Sequence, residues 1–491
     1  MPAKRNKHQL KPLPKSPTGI SGLDEVTGGG LPKGRPTLVA GGPGCGKTLF
    51  AIEYLVNGAI EYDEPGVFVA FEETADELAQ NVASLGFDLK ELIKQKKMVI
   101  EYVKVDRSDI EEAGEYDLEG LFIRLGYAID SIGAKRVALD TVEFLFAALP
   151  NHAILRAELQ RLFRWLKDKS MSAVITAERG NGTVTRFGLE EYVADCVIKL
   201  DHRVSDQVST RRLHIVKYRG SLHGTNEYPF IIGKEGISVL PITSLGLEHQ
   251  APLGRVSTGV KGLDDMLGGK GFYRGSSILI TGTAGTGKTS LASAFVDAAC
   301  RRGERCLYLA FEESTSQIQR NMRSIGIDLT PHVKKGLLQF HTARPTLYGI
   351  EMHLVQIYDL VKEHKPDIVV LDPITDFFAI GSSAEVKAAV TRIIDFLKTN
   401  QVTALFNSTT SEEDAVDYSI VGISSLIDAW ISLRVLERNG ERQRGLFILK
   451  ARGMAHSNQI RSLHLTDDGI KVAEMDPAAH RPEPNPVPQA L

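Results

Sequence analysis

Two stretches combine glycine, lysine and threonine at a spacing that can cradle a phosphate chain. They are Gly41-Gly42-Pro43-Gly44-Cys45-Gly46-Lys47-Thr48 and Gly282-Thr283-Ala284-Gly285-Thr286-Gly287-Lys288-Thr289, each fitting G-x-x-x-x-G-K-[ST]. Such a pattern is meaningful when a strand precedes it and a helix follows. Here the apolar runs Pro36–Ala40 and Ser277–Thr281 lie before the loops, and helical patterns follow them. Successive backbone N–H groups at a helix N-terminus attract a phosphate chain, to which Lys47 or Lys288 adds a cation. The hydroxyls of Thr48 and Thr289 are suited to Mg²⁺. The chemistry indicated is binding of a nucleoside triphosphate, such as ATP, at two places.

Acids follow each loop. The runs Arg136–Asp140 and Asp367–Asp372 end in Asp140 and Asp372, where an ATPase holds Mg²⁺ or its water shell. The pairs Glu72-Glu73 and Glu312-Glu313 sit at the ends of the strand-like runs Val67–Phe71 and Cys306–Phe311. A water or hydroxyl attacking a γ-phosphate needs a carboxylate to take its proton, and adjacent acids raise one another's pKa. The plainer alternative is that each pair stabilises the N-terminus of the helix that follows.

Lys217-x-Arg219 with His223, and Lys450-x-Arg452 with His456, lie late in each repeat. They read either as charged strand edges or as clamps on the nucleotide of a neighbouring subunit. Asp195 and Asp428 align, yet Glu191-Tyr192 before the first becomes Ser424-Ser425 before the second. Serine pairs commonly cap helices or turns. Near a nucleotide they can instead accept a phosphoryl group and carry its charge.

Elements that would hold these residues repeat in order. The offset is 241 from Lys47 to Lys288, 240 from Glu72 to Glu312, 232 from Asp140 to Asp372 and 233 from Lys217 to Lys450. Strand, loop, helix, strand ending in the acid pair, helix, strand, helix, strand ending in aspartate: this alternation predicts an α/β fold with a parallel sheet covered on both faces. The expected organisation is a flexible arm over 1–15, a first domain over 16–248, a second over 249–475, and a disordered Pro-rich tail over 476–491.

With 491 residues, 43% hydrophobic and 24% charged, the chain can bury two large cores. A net charge of −3 gives no basic surface for nucleic acid or membrane. Four cysteines without a C-x-x-C pair, no secretory h-region and no bilayer-length apolar run point to the cytoplasm.

Taken together, these residues resemble the KaiC family of double-domain RecA-like P-loop ATPases over roughly residues 16–475. The resemblance implies tandem RecA-like domains, a homohexamer of stacked rings, ATP and Mg²⁺ at subunit interfaces, and a slow ATPase in the first domain. It implies a serine autokinase and autophosphatase in the second, with Ser424 and Ser425 as acceptors. Glu72 and Glu73 match hydrolytic acids; Glu312 and Glu313 match the Mg²⁺ ligand and general base. Lys217, Arg219, Lys450 and Arg452 match contacts to the adjacent protomer's nucleotide. A KaiB-like partner on the first domain follows from the family, whereas the short Pro-rich tail speaks against a KaiA-like activator. The competing readings are a DNA-dependent ATPase, which calls for a basic or aromatic pore lining, and a nucleotide-gated scaffold with little turnover.

Overall fold

Residues 36–41 alternate across a sheet whose two faces are both covered. In the computed structural model, Val39, Phe68, Ala70, Ala138 and Val174 belong to one buried cluster. Their neighbours Leu38, Val67, Val69, Val137, Leu139 and Ile175 belong to another. Successive residues of a strand point to opposite faces, so aliphatic runs without polar alternation fit only a sheet buried on both sides. The structure describes residues 12–103, 118–146, 152–180, 184–185, 193–205, 208–241, 252–410, 423–438 and 441–475. Met1–Ser244 and Leu245–Leu491 form two compact units.

In the first unit, β1 (Lys15–Ser16) pairs with β2 (Leu31–Pro32). The main sheet comprises β3 (Pro36–Gly41), β4 (Gly66–Ala70), β5 (Met98–Tyr102), β6 (Arg136–Asp140), β7 (Ser172–Glu178), β8 (Cys196–Ser205), β9 (Val208–Tyr218), β10 (Glu227–Gly233) and β11 (Gly236–Val239). Its order is β11-β10-β9-β8-β3-β7-β6-β4-β5. Strands β3 to β8 pair in parallel, and β9, antiparallel to β8, begins an antiparallel stretch that runs through β10 to β11. Helix Lys47–Glu61 packs on one face. Residues of helices Glu119–Ile132 and His152–Asp168 pack on the other.

The second unit repeats this plan. A small pair, β12 (Arg255–Val256) and β13 (Phe272–Tyr273), precedes β14 (Ser277–Gly282), β15 (Cys306–Ala310), β16 (Leu338–Thr342), β17 (Ile368–Asp372), β18 (Thr403–Thr409), β19 (Ala429–Arg438), β20 (Glu441–Ala451), β21 (Arg461–Thr466) and β22 (Gly469–Glu474). The order is β16-β15-β17-β18-β14-β19-β20-β21-β22, with β19 to β22 antiparallel to one another. These are two mostly parallel sheets flanked by helices, the arrangement of tandem RecA-like P-loop domains.

Three details differ from the expectations. Lys15, placed in the arm, is the start of a strand, and its ammonium bonds the carbonyls of Thr27 and Gly28 while lying over the Tyr218 ring. The acid pairs begin just past their strands, which end at Ala70 and Ala310. The antiparallel edges after β8 and β19 were not read from the pattern. The tail over 476–491 and Glu191-Tyr192 lie outside the described residues. Among the described residues, no helix is long and apolar enough to cross a membrane.

Candidate functional site

Both phosphate loops turn on a glycine in the left-handed region: Gly46 and Gly287 each have φ 101°, which a side chain would strain. The helices Lys47–Glu61 and Lys288–Arg301 start at the next residue, so their N-terminal N–H groups face the loop. Lys47 Nζ donates to the carbonyls of Gly41 and Gly42 at 2.9 and 3.1 Å. Lys288 Nζ makes the equivalent bonds to Gly282 and Thr283 at 2.8 and 2.9 Å. Cys45 is buried beneath its loop, and burial pushes its thiol pKa up. The buried Thr286 hydroxyl donates to Thr283 at 2.8 Å. At these two positions the loops therefore offer backbone, not side chain. Pro43, Gly44, Ala284 and Gly285 form exposed tips, while Thr48 and Thr289 are half-buried at the helix starts.

In the second unit, a cavity of about 430 Å³ joins Lys288 and Thr289 to Glu312, Glu313 and Asp372. Its far wall is apolar, with Ile318, Met322 and Leu465. Asp372 is buried and accepts the Tyr308 hydroxyl at 2.6 Å. Glu313 accepts from Asn321 at 3.2 Å; burial and then the charges of Asp372 and Glu312 raise its pKa. Lys288 is shifted down by burial, against the pull of Asp372 and Glu312. A fourth acid, Asp376, is raised to about 6 by burial and by Glu312, with which it shares a hydrogen bond. Crowded carboxylates beside a threonine hydroxyl form an all-oxygen donor set of the kind a hard divalent cation takes. Among the described residues no three acids or imidazoles are grouped to hold a metal by themselves, so Mg²⁺ would take most of its ligands from phosphate and water.

The first unit has the same skeleton with different acids. The buried Thr176 hydroxyl donates to Asp140. Burial, then the charges of Asp140, Glu178 and Glu73, raise the pKa of Glu72. Glu73 is met by the Asn81 amide at 3.3 Å, as Glu313 is by Asn321. Glu178, the last residue of β7, pairs in register with Gly41, and its N–H donates to the buried Glu143 carboxylate at 2.6 Å. In the second unit these places are taken by Thr409 and Thr375. Glu178, Glu143 and Asp376 escaped the sequence reading because each is an acid of only one repeat. That asymmetry was the available signal.

Helix capping does not occupy the acid pairs. Thr74 with Glu77, and Ser314 with Gln317, form reciprocal capping boxes on the helices Ala75–Ala83 and Thr315–Arg323. Glu72, Glu73, Glu312 and Glu313 remain at the strand ends beside the loops.

The remaining candidates gather at the opposite edge of each sheet. Lys217 pairs with Val197, one residue from Cys196, which is level with Thr37 at the start of β3. Lys450 pairs with Trp430, which is level with Leu279 near the start of β14. Lys450 Nζ donates to the Ser424 carbonyl at 2.6 Å, and Arg452 Nη2 to the Ser425 carbonyl at 2.5 Å. Burial, then Arg452, lowers the Lys450 pKa. Arg219 N–H donates to the Asp195 carbonyl at 2.9 Å, as Arg452 N–H does to Asp428 at 2.8 Å. His223 and His456 lie against carbonyls of their own turns, Ser221 and Met454. Each strand leading to a phosphate loop is six residues long, about 20 Å, and separates the two groups within one chain.

Comparisons with known proteins agree with this duplication. The family described as "ATPase: KaiC" matches residues 16–244 and again 256–476. A "Circadian clock protein KaiC2" from Synechocystis sp. is 56% identical over 464 residues, 94% of this chain and 82% of that protein. The "Circadian clock oscillator protein KaiC" of Parathermosynechococcus lividus is 38% identical over 95% of this chain and 86% of its own length. That of Prochlorococcus marinus is 37% identical over 94% and 93%. With two loop-and-acid clefts and two matches to one ATPase domain, the chain belongs to the KaiC family.

Proposed function

We propose that the chain is a homohexameric ATPase whose first domain hydrolyses ATP and whose second phosphorylates and dephosphorylates Ser424 and Ser425. The observation that carries this reading is the separation of acceptor and loop. The serines lie at the start of β14 and the phosphate cradle at its end, so the transfer runs from one protomer's cleft to its neighbour's serine. A ring brings those two edges together.

In the second cleft, Lys288 and the loop amides orient the phosphates. Thr289 and Glu312 would hold Mg²⁺, which would supply screening of phosphate charge, and Asp372 would bear on its water shell. Glu313, with its raised pKa, takes the proton as the serine Oγ bonds to the γ-phosphorus and the bond to ADP breaks. Lys450 and Arg452 of the acceptor protomer, with His456 nearby, stabilise the charge. Reversal or attack by water returns the free serine. In the first cleft no acceptor serine is present at the aligned position. Lys47, Thr48, Asp140 and the Glu72-Glu73 pair activate water instead, assisted by Lys217, Arg219 and His223 of the neighbour.

The relatives' names carry to this chain a role as a clock or timing component. A KaiB-like protein on the first domain is the partner that the family resemblance implies. Intact-mass analysis after incubation with Mg-ATP tests the central point. A phosphate adduct on the wild type that disappears in Ser424→Ala/Ser425→Ala supports it. An adduct at the same level in that variant overturns the acceptor assignment.

A further inference from the structure

The turn bearing the two serines is held at both ends by different residues. Upstream, Lys450 and Arg452 bond the carbonyls of Ser424 and Ser425. Downstream, Lys398, in the last turn of helix Ser383–Thr399, donates to the Leu426 carbonyl at 3.0 Å and to Asp428 Oδ2 at 2.8 Å. The same carboxylate oxygen accepts the N–H of Ser277 at 2.9 Å, and the Asp428 N–H donates back to the Ser277 carbonyl at 2.9 Å. Ser277 opens β14, the strand that ends in the phosphate loop. The downstream anchor is thus tied to the rigid sheet, and the Lys398 side chain is only 14% exposed.

Resting on the autokinase reading, Lys450 and Arg452 share their donors between those carbonyls and a neighbour's phosphates. The upstream hold therefore depends on the nucleotide next door. Among the described residues, Lys398 bonds only the turn and its anchoring aspartate. We infer that Lys398 is a positioning residue for phosphotransfer: through Leu426 and Asp428 it keeps Ser424 and Ser425 in place while Lys450 and Arg452 also serve the adjoining nucleotide. A charge-assisted bond from a mostly buried ammonium is strong enough for this, because losing it leaves the Asp428 carboxylate with the Ser277 N–H but without that cation.

The first unit supplies an internal control. Lys167 meets Asp195 at 2.5 Å, joined by Arg35 at 3.5 Å, and the Asp195 N–H donates to the carbonyl of Pro36, the first residue of β3. The anchor is therefore common to both repeats, but only the second has serines above it. Lys167→Met removes the matching anchor where no serines lie above it, and so controls for the loss of one such lysine elsewhere in the chain.

The test uses the full chain loaded with Mg-ATP, in wild type, Lys398→Met, Lys398→Arg, Lys398→Gln and Lys167→Met. Three quantities are read: the initial rate of phosphate gain, the Ser424:Ser425 ratio by site-resolved mass spectrometry, and amide exchange over residues 423–428. Lys398→Met is expected to lose about tenfold in rate, the effect of one charge-assisted bond, with an altered ratio and faster exchange. Lys398→Arg restores all three, and Lys167→Met leaves them unchanged. Should Lys398→Met not fold, Lys398→Gln, which keeps a donor for Leu426 but not the charge, must show the same changes in weaker form. Wild-type rate and ratio in the folded Met or Gln variant overturns the proposal, as does a loss matched by Lys167→Met. Absence of phosphate on the wild type itself is a failure of the autokinase reading, and the proposal falls with it. Faster exchange over 423–428 in Lys398→Met would then mark Lys398 as an anchor of the fold only.

Discussion

Lys450 Nζ sits 2.6 Å from the Ser424 carbonyl oxygen, tying β20 to the backbone of the serine turn. An ammonium has three donors, so Lys450 can hold that carbonyl with one and offer the others to a phosphate across a subunit boundary. Lys450→Met and Arg452→Met are each expected to lower phosphate gain on Ser424 and Ser425 by about 100-fold, the usual scale for losing one charge-stabilising donor. ATP hydrolysis by the first domain, measured in a Lys288→Ala background, is expected to stay within about twofold of its unmodified level, because distant sites behave additively. Radiolabel incorporation in the chain with Lys288 intact and ADP release in the Lys288→Ala background check the two separately.

Glu72 has a pKa raised by burial and by Asp140, Glu178 and Glu73. A general base must be ionised, so first-domain hydrolysis falls as the pH drops through that raised value. Glu178→Gln removes one of the raising charges and shifts the acidic limb of the kcat profile to lower pH. Glu72→Gln cuts kcat by about 100-fold or more, since it removes the base. The profiles are best recorded in the Lys288→Ala background; an acidic limb that stays put in Glu178→Gln would contradict the assignment.

Asp376 adds a carboxylate beside Glu312 that the first repeat lacks, having Phe144 there (376 − 144 = 232). Extra negative charge near an oxygen-ligated cation strengthens its binding. Asp376→Asn should raise the Mg²⁺ concentration for half-maximal phosphate gain by about threefold to tenfold, in line with one lost charge contact. A titration of Mg²⁺ at fixed ATP measures this, and chelation should abolish the reaction in both proteins.

Glu53 is buried in the helix behind the first loop and accepts the Ile237 N–H at 2.8 Å. Burial raises its carboxyl to about 8 from an ordinary 4.5. Between those values the folded chain holds a proton that the unfolded chain has released, so stability is fully present below 4.5 and is lost as the pH rises through about 8. Glu53→Gln keeps the acceptor and removes the charge. It is expected to melt higher than wild type at alkaline pH and to show a flatter pH dependence between these limits, as judged by the first-unit transition in calorimetry.

The loops, the acid pairs and the strand-end aspartates were legible because each is a local pattern that occurs twice. Gly46 and Gly287 even share a backbone conformation, and Asn81 and Asn321 meet their acids in the same way. Legibility failed where the partner is remote or present only once. Lys398 reaches the serine turn from another helix, and a single lysine in a helical pattern reads as a solvated charge. Asp376 and Glu178 lack repeat counterparts, so the duplication that exposed the other acids concealed these. The antiparallel stretches went unread because charges such as Arg211, Arg212, Arg442 and Arg444 break the pattern, and a short apolar run such as Leu446–Leu449 does not give a strand's direction. Lys15 looked like part of a basic arm, yet two carbonyls and a tyrosine ring hold it.

Transfer across a subunit boundary is tested most directly by mixing two disabled proteins. Lys288→Ala lacks a working second cradle but keeps its serines; Ser424→Ala/Ser425→Ala keeps the cradle but lacks acceptors. Each alone should gain no phosphate. Co-assembled with Mg-ATP, the mixture should place phosphate on Ser424 and Ser425 of the Lys288→Ala subunits, as read by mass spectrometry. Mixed rings that gain none, from a wild type that does phosphorylate itself, would contradict the account.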